Sequence, residues 1–550
     1  MSRVYTYNLF IKRMIEECRQ LYIIINHLIT YYSYKQEAIM NTVIQNIDSF
    51  LWGLPFVIFV LVVGAYYFIR SKAFPLVHLH HVMKNTIGSM RGQEANEKKE
   101  GTVSPFEAVA VAVGSTVGCG NIAGVATAIA TGGPGAVFWM WIWAFFGMII
   151  KCVEVTLGCY YRNKDENGNY FGGSTYTIEK GIQWDMGLKI GGPLAVAFSI
   201  ALLVSWLGGS QAYTIAEALN QSFHWNMIVV TLIYSAFVFY ITVKGVPGVV
   251  KFATKAVPFM CIAFIVGGFA LIALNLSSVP HVFYMIFHDA FMGTRAQVGG
   301  FAGCTVAACM RYGIARSMNS NEAGQGSSPF IHGSADCEHP MRQGLWGAFE
   351  VFIDTIIVCS ITALAVLCTG VWTTGTPGVT LTMMAYSANF GVWGKYFIGL
   401  MAFLFGITTT TGWYTYDCTN IRYLLRYHPI ARDRLVNAWK FLFPIPNIVI
   451  VTSISLTGNG PDTFWAIVDI SLAIPVFVNL LGLLIMRNKF FDIFKDYKAR
   501  YMGKGKVDPD FALFYEEKPE VAAIAAETNE KIRLAKEAAY AKREAKRKNA

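Results

Sequence analysis

Long apolar segments follow one another along most of the chain and are separated by shorter polar stretches. A membrane-spanning helix needs roughly 20 predominantly apolar residues, and these segments have about that length. The pattern therefore predicts an all-α polytopic membrane protein with eleven transmembrane helices. The predicted spans are 49–69, 106–130, 135–160, 192–219, 226–243, 252–275, 300–333, 345–371, 394–416, 441–457 and 463–486.

Two of the predicted spans are interrupted by glycine and polar residues. Gly114–Gly124 has the sequence GSTVGCGNIAG, and Met318–Pro329 has the sequence MNSNEAGQGSSP. Glycine disfavours a helix, and polar side chains are costly at membrane depth. We therefore expect both helices to be broken where a polar ligand binds. The alternative interpretation is that the glycines only allow neighbouring helices to pack closely.

The spacing of the two interruptions predicts an internal repeat. Without the first span ten spans remain, and dividing them into five and five places one broken helix at the start of each half, as in transporters built from inverted repeats. The predicted organisation is an N-terminal extension expected to be poorly ordered (1–48), an extra transmembrane helix (49–69), a cytoplasmic segment (70–105), a first repeat (106–275), an extracytoplasmic loop (276–299), a second repeat (300–487) and a basic cytoplasmic tail (488–550).

Composition and charge agree with a membrane protein. The chain is 54% hydrophobic and only 15% charged, whereas soluble domains have about 25% charged residues. Lysine and arginine are concentrated in alternate loops, which predicts an N-terminus outside the cell and a C-terminus in the cytoplasm. The net charge of +10 is therefore interpreted as cytoplasmic basic residues and not as a nucleic-acid-binding surface.

Other classes of function have little support in the sequence. The 11 cysteines lack the spacing of metal ligands, so they are interpreted as small core residues. A channel is disfavoured because the spans contain no repeated pore-lining motif or charged ring. An enzyme is disfavoured because no pair of nucleophile and base is evident, and no resident cofactor is expected.

The chemistry of two broken helices suits a zwitterion and a cation. The N-terminal end of a half-helix binds a carboxylate through unpaired N–H groups and the helix dipole. Unwound carbonyls bind an ammonium group or sodium. The hydroxyl groups of Thr408–Thr411 could add sodium ligands, although threonine in a helix often bonds to its own preceding turn. Gln211 and Trp413 are further candidates for the wall of the pocket, with helix packing as the alternative.

Three acidic residues, Glu154, Asp354 and Asp417, lie in or near predicted spans. Intramembrane carboxylates are expensive and often functional. They could relay protons, or they could pair with Lys151, Arg311 or Arg316.

Ordered motifs over about 49–490 resemble the alanine or glycine:cation (sodium:alanine) symporter family. The matching motifs are Gly118–Val125 (GCGNIAGV), Gly132–Trp141 (GGPGAVFWMW), Tyr161-Arg162, Gly172-Gly173, Asn321–Gly326 (NEAGQG) and Gly412–Tyr414 (GWY). The resemblance implies the leucine-transporter-type fold, with ten core helices in two inverted five-helix repeats plus one N-terminal helix. It also implies sodium-coupled import of a small neutral amino acid across the inner (plasma) membrane, with Na⁺ co-transported.

The resemblance also implies a set of site residues. The family's substrate contacts fall on Cys119, Gly120, Asn121, Ile122, Gln211, Asn319, Ser320, Ala323, Gly324 and Trp413. Its sodium site falls on Thr116, Gly118, Thr408 and Thr409.

Two positions depart from the family pattern. Threonine is common where this chain has Cys119, and an aromatic residue is common where it has Asn319. An amide in place of the aromatic ring makes the pocket larger and more polar. A buried substrate amide is costly unless it is paired, and Asn319 with Gln325 could pair it. Glutamine is therefore a candidate substrate beside alanine and glycine. A proton-coupled amino-acid transporter of the same fold is the alternative function, and the sequence leaves the oligomeric state open.

Overall fold

Helices make up most of the structure, a computed structural model that describes residues 41–88, 103–165, 168–206, 210–297, 299–457 and 461–548. Residues 1–40 of the predicted extension and 89–102 of the predicted cytoplasmic segment lie outside these ranges. The helices up to residue 292 are α1 (Asn41–Arg70), α2 (Pro105–Thr116), α3 (Gly120–Gly132), α4 (Gly135–Tyr160), α5 (Gly191–Trp206), α6 (Ser210–Phe223), α7 (Met227–Thr242), α8 (Val246–Leu274) and α9 (Val279–Met292).

The second half of the chain is helical in the same way. Its helices are α10 (Val306–Asn321), α11 (Pro329–His332), α12 (Pro340–Cys368), α13 (Val379–Phe390), α14 (Val392–Leu424), α15 (Pro429–Leu442), α16 (Ile445–Thr457), α17 (Pro461–Ile485), α18 (Arg487–Met502) and α19 (Pro519–Lys548). Shorter helical turns occupy Phe74–Val77, Leu79–Asn85 and Ser174–Asp185. A two-residue antiparallel hairpin, β1 (Asn163–Lys164) and β2 (Tyr170–Phe171), follows α4.

Helices or helix pairs lie at each of the predicted spans. Six helices of the described chain are long and apolar enough to cross a membrane, or up to eight if each of two bent pairs is one span. The prediction of a mostly helical membrane protein is confirmed at this level. The count of eleven spans and the inverted repeat stay predictions.

The first interruption breaks a helix as its sequence predicts. Ser104 caps α2, accepting a hydrogen bond from the Glu107 backbone while the Glu107 side chain accepts one from the Ser104 backbone, which fixes the start of the helix. The helix ends at Thr116, and α3 begins at Gly120 after a bend of 44°. The first turn of α3 is a π-helix, a form common at functional sites.

The second interruption is a longer unwound segment between α10 and α11. Glu322 ends α10 in the left-handed conformation with φ 55°, which is unusual for a residue with a side chain. Gly324 and Gly326 follow with φ 93° and 76°, values that glycine adopts without a steric penalty. Pro329 then starts α11. The unwound segment therefore depends on the glycines of the sequence NEAGQG.

The helices around the interruptions form one core. α4 packs along both α10 and α12, and α14 packs against α2 and α6. Small residues allow the close approach: a Cβ atom on Gly147 of α4 would lie 3.1 Å from the Ala323 Cβ atom of the second break. The two breaks thus sit inside the bundle, between helices from both halves of the chain.

Part of the predicted tail packs on the bundle. Phe490 and Phe494 of α18 are buried, and Lys518 donates to Asp185 across 2.9 Å. Burial disfavours ionisation of Asp185, but hydrogen bonds from Lys518 and Tyr161 hold the pKa of this carboxyl below its usual value. The beginning of the tail is therefore docked, whereas most of α19 is exposed.

Candidate functional site

A cavity of about 630 Å³ lies between the two broken helices. It extends from the breaks toward the end of the bundle where α1 begins, because Asn41 and Thr131 also line it. Eight of the predicted site residues line this cavity: Thr116, Gly118, Cys119, Gly120, Gln211, Asn319, Thr409 and Trp413. The structure therefore brings together residues from both halves of the chain at one polar pocket.

The other predicted site residues lie behind the cavity wall. These buried residues are Asn121, Ile122, Ser320, Ala323, Gly324 and Thr408. Two of their carbonyl oxygens already accept hydrogen bonds: Ile122 from the Thr382 hydroxyl at 2.9 Å and Gly324 from the Asn479 amide at 2.9 Å. Their arrangement holds the shape of the breaks, and their predicted role as ligands stays a prediction.

Side-chain amides support the first break. Gln211 Oε1 accepts a hydrogen bond from the Cys119 backbone at 3.0 Å, and Asn121 Oδ1 accepts one from the Gly118 backbone at 2.8 Å. An unwound segment leaves backbone N–H groups without helical partners, and these two amides satisfy them. Gln211 therefore positions the break in addition to lining the pocket.

A buried carboxylate, Asp354 of α12, connects the two breaks. Its Oδ1 atom accepts a hydrogen bond from the Asn121 amide at 2.6 Å, and its Oδ2 atom accepts one from the Ser320 hydroxyl at 2.9 Å. The Thr355 hydroxyl donates a third bond at 2.8 Å. One side chain thus fixes the distance between the first and second broken helices.

The last turn of α2 lies directly against α14. Thr409 Oγ1 donates to the Gly114 carbonyl oxygen at 3.1 Å, and a Cβ atom on Gly118 would lie only 2.4 Å from Thr409 Oγ1. Thr116 and Thr408 donate instead to carbonyl oxygens of their own helices, at 3.2 Å and 2.9 Å respectively. Of the predicted sodium ligands with hydroxyl groups, Thr409 alone bonds across this helix contact within the described residues.

Two arginine–aspartate pairs line the outer part of the cavity. Arg316 binds both carboxylate oxygens of Asp469, at 3.1 and 2.7 Å, and Arg311 binds Asp48 of α1 at 3.1 Å. The sequence allowed Arg311 and Arg316 to pair with Glu154, Asp354 or Asp417. In the described part of the chain this alternative is wrong, because both arginines pair with other aspartates. The aspartates that pair with them lie far away in sequence, so span-by-span inspection could not identify them.

The remaining acidic and basic residues have other partners. Glu154 accepts from the Asn479 amide at 2.5 Å, and Asp417 accepts from the Trp439 indole at 3.3 Å. Lys151 lies 3.8 Å from Glu350 and donates to the Asn321 carbonyl oxygen at 2.9 Å. In the described chain no group of three His, Cys, Asp or Glu side chains could hold a metal ion.

Two further residues of the second break, Glu322 and Gln325, line the pocket. Gln325 is named from the sequence, beside Asn319, as a possible partner of a substrate amide. Glu322 is one of the polar residues that mark the second interruption, but no ligand contact is predicted for it. It accepts a hydrogen bond from the Trp413 indole at 2.9 Å and another from the Ser327 hydroxyl.

Comparison with known proteins gives relatives along most of the chain. A transporter of uncharacterised function from Bacillus subtilis, YflA, is 35% identical over 82% of this chain and 93% of its own length. The sodium/alanine symporter AgcS of Methanococcus maripaludis is 33% identical over 81% of this chain and 94% of its own. The probable sodium/glutamine symporter GlnT of B. subtilis is 32% identical over 86% of this chain and 94% of its own length.

A solved structure and a family model also match this chain. MhsT in complex with L-phenylalanine aligns with a TM-score of 0.47 and 13% identity, covering 72% of this chain and 99% of that chain. The model of the sodium:alanine symporter family matches residues 36–512. The match spans both broken helices and confirms the family that the sequence motifs predicted. The chain belongs to the sodium:alanine symporter family.

Proposed function

We propose that this protein is a sodium-coupled symporter that imports a small neutral amino acid by alternating access. The observation that carries the proposal is the shared cavity, lined by Cys119 and Gly120 of the first break and by Asn319 of the second. Alanine, glycine and glutamine are the candidate substrates. AgcS and GlnT, named for sodium/alanine and sodium/glutamine symport, support this range of substrates.

The ends of the half-helices suggest where each part of the substrate binds. Gly120 begins α3 and faces the cavity, so the positive end of the helix dipole favours the substrate carboxylate there. The substrate ammonium group would face the unwound segment after α10, where the carboxyl group of Glu322 lines the cavity. Trp413 and Gln211 would close the sides. No covalent step is required.

The sodium ion is assigned to the contact between α2 and α14. Gly114 and Thr409 place a carbonyl and a hydroxyl oxygen 3.1 Å apart, and backbone carbonyls at the C-terminal end of a half-helix are suited to Na⁺. Sodium bound here would pull the first break against α14. That movement would couple occupation of the sodium site to the shape of the amino-acid pocket.

In the proposed orientation the N-terminus is outside and the C-terminus is in the cytoplasm. The cavity then faces the outside, because it reaches the beginning of α1. The pairs Arg316–Asp469 and Arg311–Asp48 would narrow its mouth. The docked start of the tail would lie on the closed inner side.

A proton-coupled transporter is the second candidate function, since Glu322 is a buried carboxylate on the cavity wall. The two candidates differ in one simple experiment. Replacing sodium by choline at constant pH should collapse uptake by a sodium symporter. Uptake that persists in choline and follows an imposed proton gradient would instead favour proton coupling.

Valine in place of Thr409 is expected to raise the sodium concentration needed for half-maximal uptake by at least about tenfold. Valine has the shape of threonine without the oxygen, and loss of a group near a metal ligand commonly costs 10–100-fold in affinity. The measurement is initial uptake in proteoliposomes as a function of external sodium. Thr411→Val is the matched control, because among the described residues Thr411 donates only to Ile407 and Thr408 of its own helix. An equal sodium requirement in both variants would refute the assignment of Thr409.

A further inference from the structure

The tail segment, residues 514–518, binds an arginine that directly follows α4. This residue, Arg162, is only 3% exposed, and its guanidinium group lies between two aromatic rings, 3.6 Å from the centre of Tyr170 and 3.8 Å from the centre of Phe514. Its Nε atom also binds Glu516 of the tail segment at 3.2 Å. Two rings and a carboxylate hold a buried arginine in one position, so the tail segment is specifically docked.

The neighbouring Tyr161 receives the next residue of the tail segment. The Tyr515 ring is buried, with its centre 5.2 Å from that of Tyr161. The Tyr161 hydroxyl donates to Asp185 at 2.8 Å, and Lys518 donates to the other oxygen of Asp185 at 2.9 Å. Neither Tyr161 nor Arg162 lines the cavity in the described chain. This motif of the sequence therefore has a place in the structure that is separate from the substrate pocket.

Arg162 also contacts the ends of both broken helices that lie away from the breaks. Its Nη1 atom donates to the carbonyl oxygen of Ala335, which follows the end of α11. Ala335 pairs with Val103, and the Val103 carbonyl oxygen accepts a hydrogen bond from the Asp336 backbone at 2.9 Å. Val103 directly precedes Ser104, the cap of α2. One arginine thus connects the docked tail segment with the point where α2 and α11 meet.

The cavity does not reach the side of the bundle that carries the tail segment. None of its described lining residues belongs to α11, α18 or the tail segment, whereas Asn41 of α1 lines it on the other side. In transporters with two broken helices, access alternates as parts of the bundle move around a fixed site. Opening the closed side requires α2 and α11 to move, and the docked tail segment holds the arginine that joins their ends.

We propose that the tail segment is a latch that keeps the inner side of the transporter closed and must undock before the cavity opens to the cytoplasm. The inference rests on the proposed function, in that a symporter must release its substrate on this side. It adds to that function a regulatory role for the tail and for the Tyr161-Arg162 motif. Weaker docking should shift the population toward the form that is open on the tail side.

Access of a thiol reagent to Cys119 tests the latch, because Cys119 lines the cavity. The full-length protein is studied in membrane vesicles whose outer face carries the tail, an orientation checked by proteolytic removal of the exposed α19. A charged maleimide that does not cross membranes is added, and mass spectrometry measures the modification of each cysteine. Cys337, half-buried beside Arg162, reports undocking of the tail segment, and Cys119 reports opening of the cavity.

Two variants weaken the docking. Phe514→Ala removes one of the rings that hold Arg162, and Glu516→Lys replaces its carboxylate partner by a like charge. Each is expected to raise the rate of Cys119 modification from the tail face at least about fivefold, because loss of such a contact shifts a two-state equilibrium several-fold. Glu520→Lys, the same change of charge at an exposed position of α19, is the matched control and should react as wild type does.

The opposite face of the membrane separates opening from unfolding. From that face Cys119 of the two variants should react no faster than in wild type, whereas an unfolded protein would expose it on both sides. Equal rates from the tail face in wild type and both variants would overturn the latch. The same holds if only Cys337 reacts faster, since the tail segment would then dock without controlling the cavity.

Hydrogen exchange in the wild type supplies a test that needs no variant. The Asp336 amide, bonded to Val103, should exchange no faster than the Lys518 amide, bonded to Tyr515, because the ends of α2 and α11 separate only after the tail segment undocks. Faster exchange of the Asp336 amide would contradict the latch.

These measurements do not depend on transport. Faster Cys119 modification in the variants of a protein without sodium-driven uptake would support the latch and contradict the proposed function. Sodium-driven uptake together with equal modification rates would support the proposed function and contradict the latch. The two failures are therefore distinguishable.

Discussion

Alanine in place of Gly118 is expected to abolish sodium-driven amino-acid uptake. The new methyl group would lie 2.4 Å from Thr409 Oγ1 and 3.3 Å from Gln211 Oε1, and the first of these distances is too short for any real contact. The first break would have to move away from α14 or the threonine would have to rotate. Either change separates the Gly114 carbonyl from the Thr409 hydroxyl and loosens the bond from Cys119 to Gln211.

Initial uptake and surface quantity of the protein, measured together, check this prediction. We expect uptake to fall at least about a hundredfold at normal expression, because small displacements of a binding geometry cost this much. Gly482→Ala is the matched control: Gly482 of α17 is buried as Gly118 is, but a Cβ atom there would make only ordinary contacts of 3.4 Å or more. Normal sodium-driven uptake by Gly118→Ala would contradict the close contact of the break with α14.

Leucine in place of Asp354 is expected to cause the largest loss of stability. The substitution removes the carboxylate that accepts hydrogen bonds from the Asn121 amide and the Ser320 and Thr355 hydroxyl groups. Asn121 keeps a 3.3 Å bond to the Asp354 carbonyl oxygen, and Ser320 keeps a 3.3 Å bond with the Cys359 thiol. A buried donor left without a partner costs about 1–3 kcal/mol, so we expect a loss of about 2–3 kcal/mol. Since Asp354 joins both breaks, the amino-acid pocket should lose its shape as well.

Thermal unfolding of the purified protein in detergent measures the loss of stability, and ligand binding measures the damage to the amino-acid pocket. Asp417→Leu is the matched control, because Asp417 is equally buried and accepts only one hydrogen bond, from Trp439, in the described chain. We expect Asp354→Asn to lie between wild type and Asp354→Leu, since its remaining oxygen can still accept two of the bonds. Equal unfolding temperatures for the two leucine variants would contradict the connecting role of Asp354.

The broken helices were predictable because their signal is local. Gly118 and Gly120 in the first break and Gly324 and Gly326 in the second weaken the helix within an apolar span. The structure places a bend of 44° at the first break and left-handed backbone at the second. Both breaks are recognisable in the sequence because helix formation depends on residues within a few positions of one another.

The connections between helices were not predictable in the same way. Asp354 was identified as a candidate proton relay, whereas the structure places it between Asn121 and Ser320. Arg316 pairs with Asp469, 153 positions away, and hydropathy gives no information about such a partner. These contacts depend on how the helices pack, and a single sequence does not encode them as a local pattern.

For the predicted ligands, too, the local property was predictable and the packing was not. Whether a residue belongs to a break was predictable, but whether its side chain faces the cavity depends on the turn of the helix. Asn319 faces the cavity while the adjacent Ser320 points to Asp354. Likewise Thr409 bonds to Gly114 of the first broken helix, whereas Thr408 bonds to its own helix and to Met260 of α8.

Concentrative uptake in proteoliposomes tests the central claim most directly. The purified full-length protein is reconstituted, an inward sodium gradient is imposed at equal pH on both sides, and labelled alanine, glycine and glutamine are added in turn. A sodium symporter should accumulate at least one of them above its external concentration, and accumulation should vanish when sodium is equal on both sides or replaced by choline. Accumulation that is unchanged without the sodium gradient, or that requires a proton gradient instead, would contradict it.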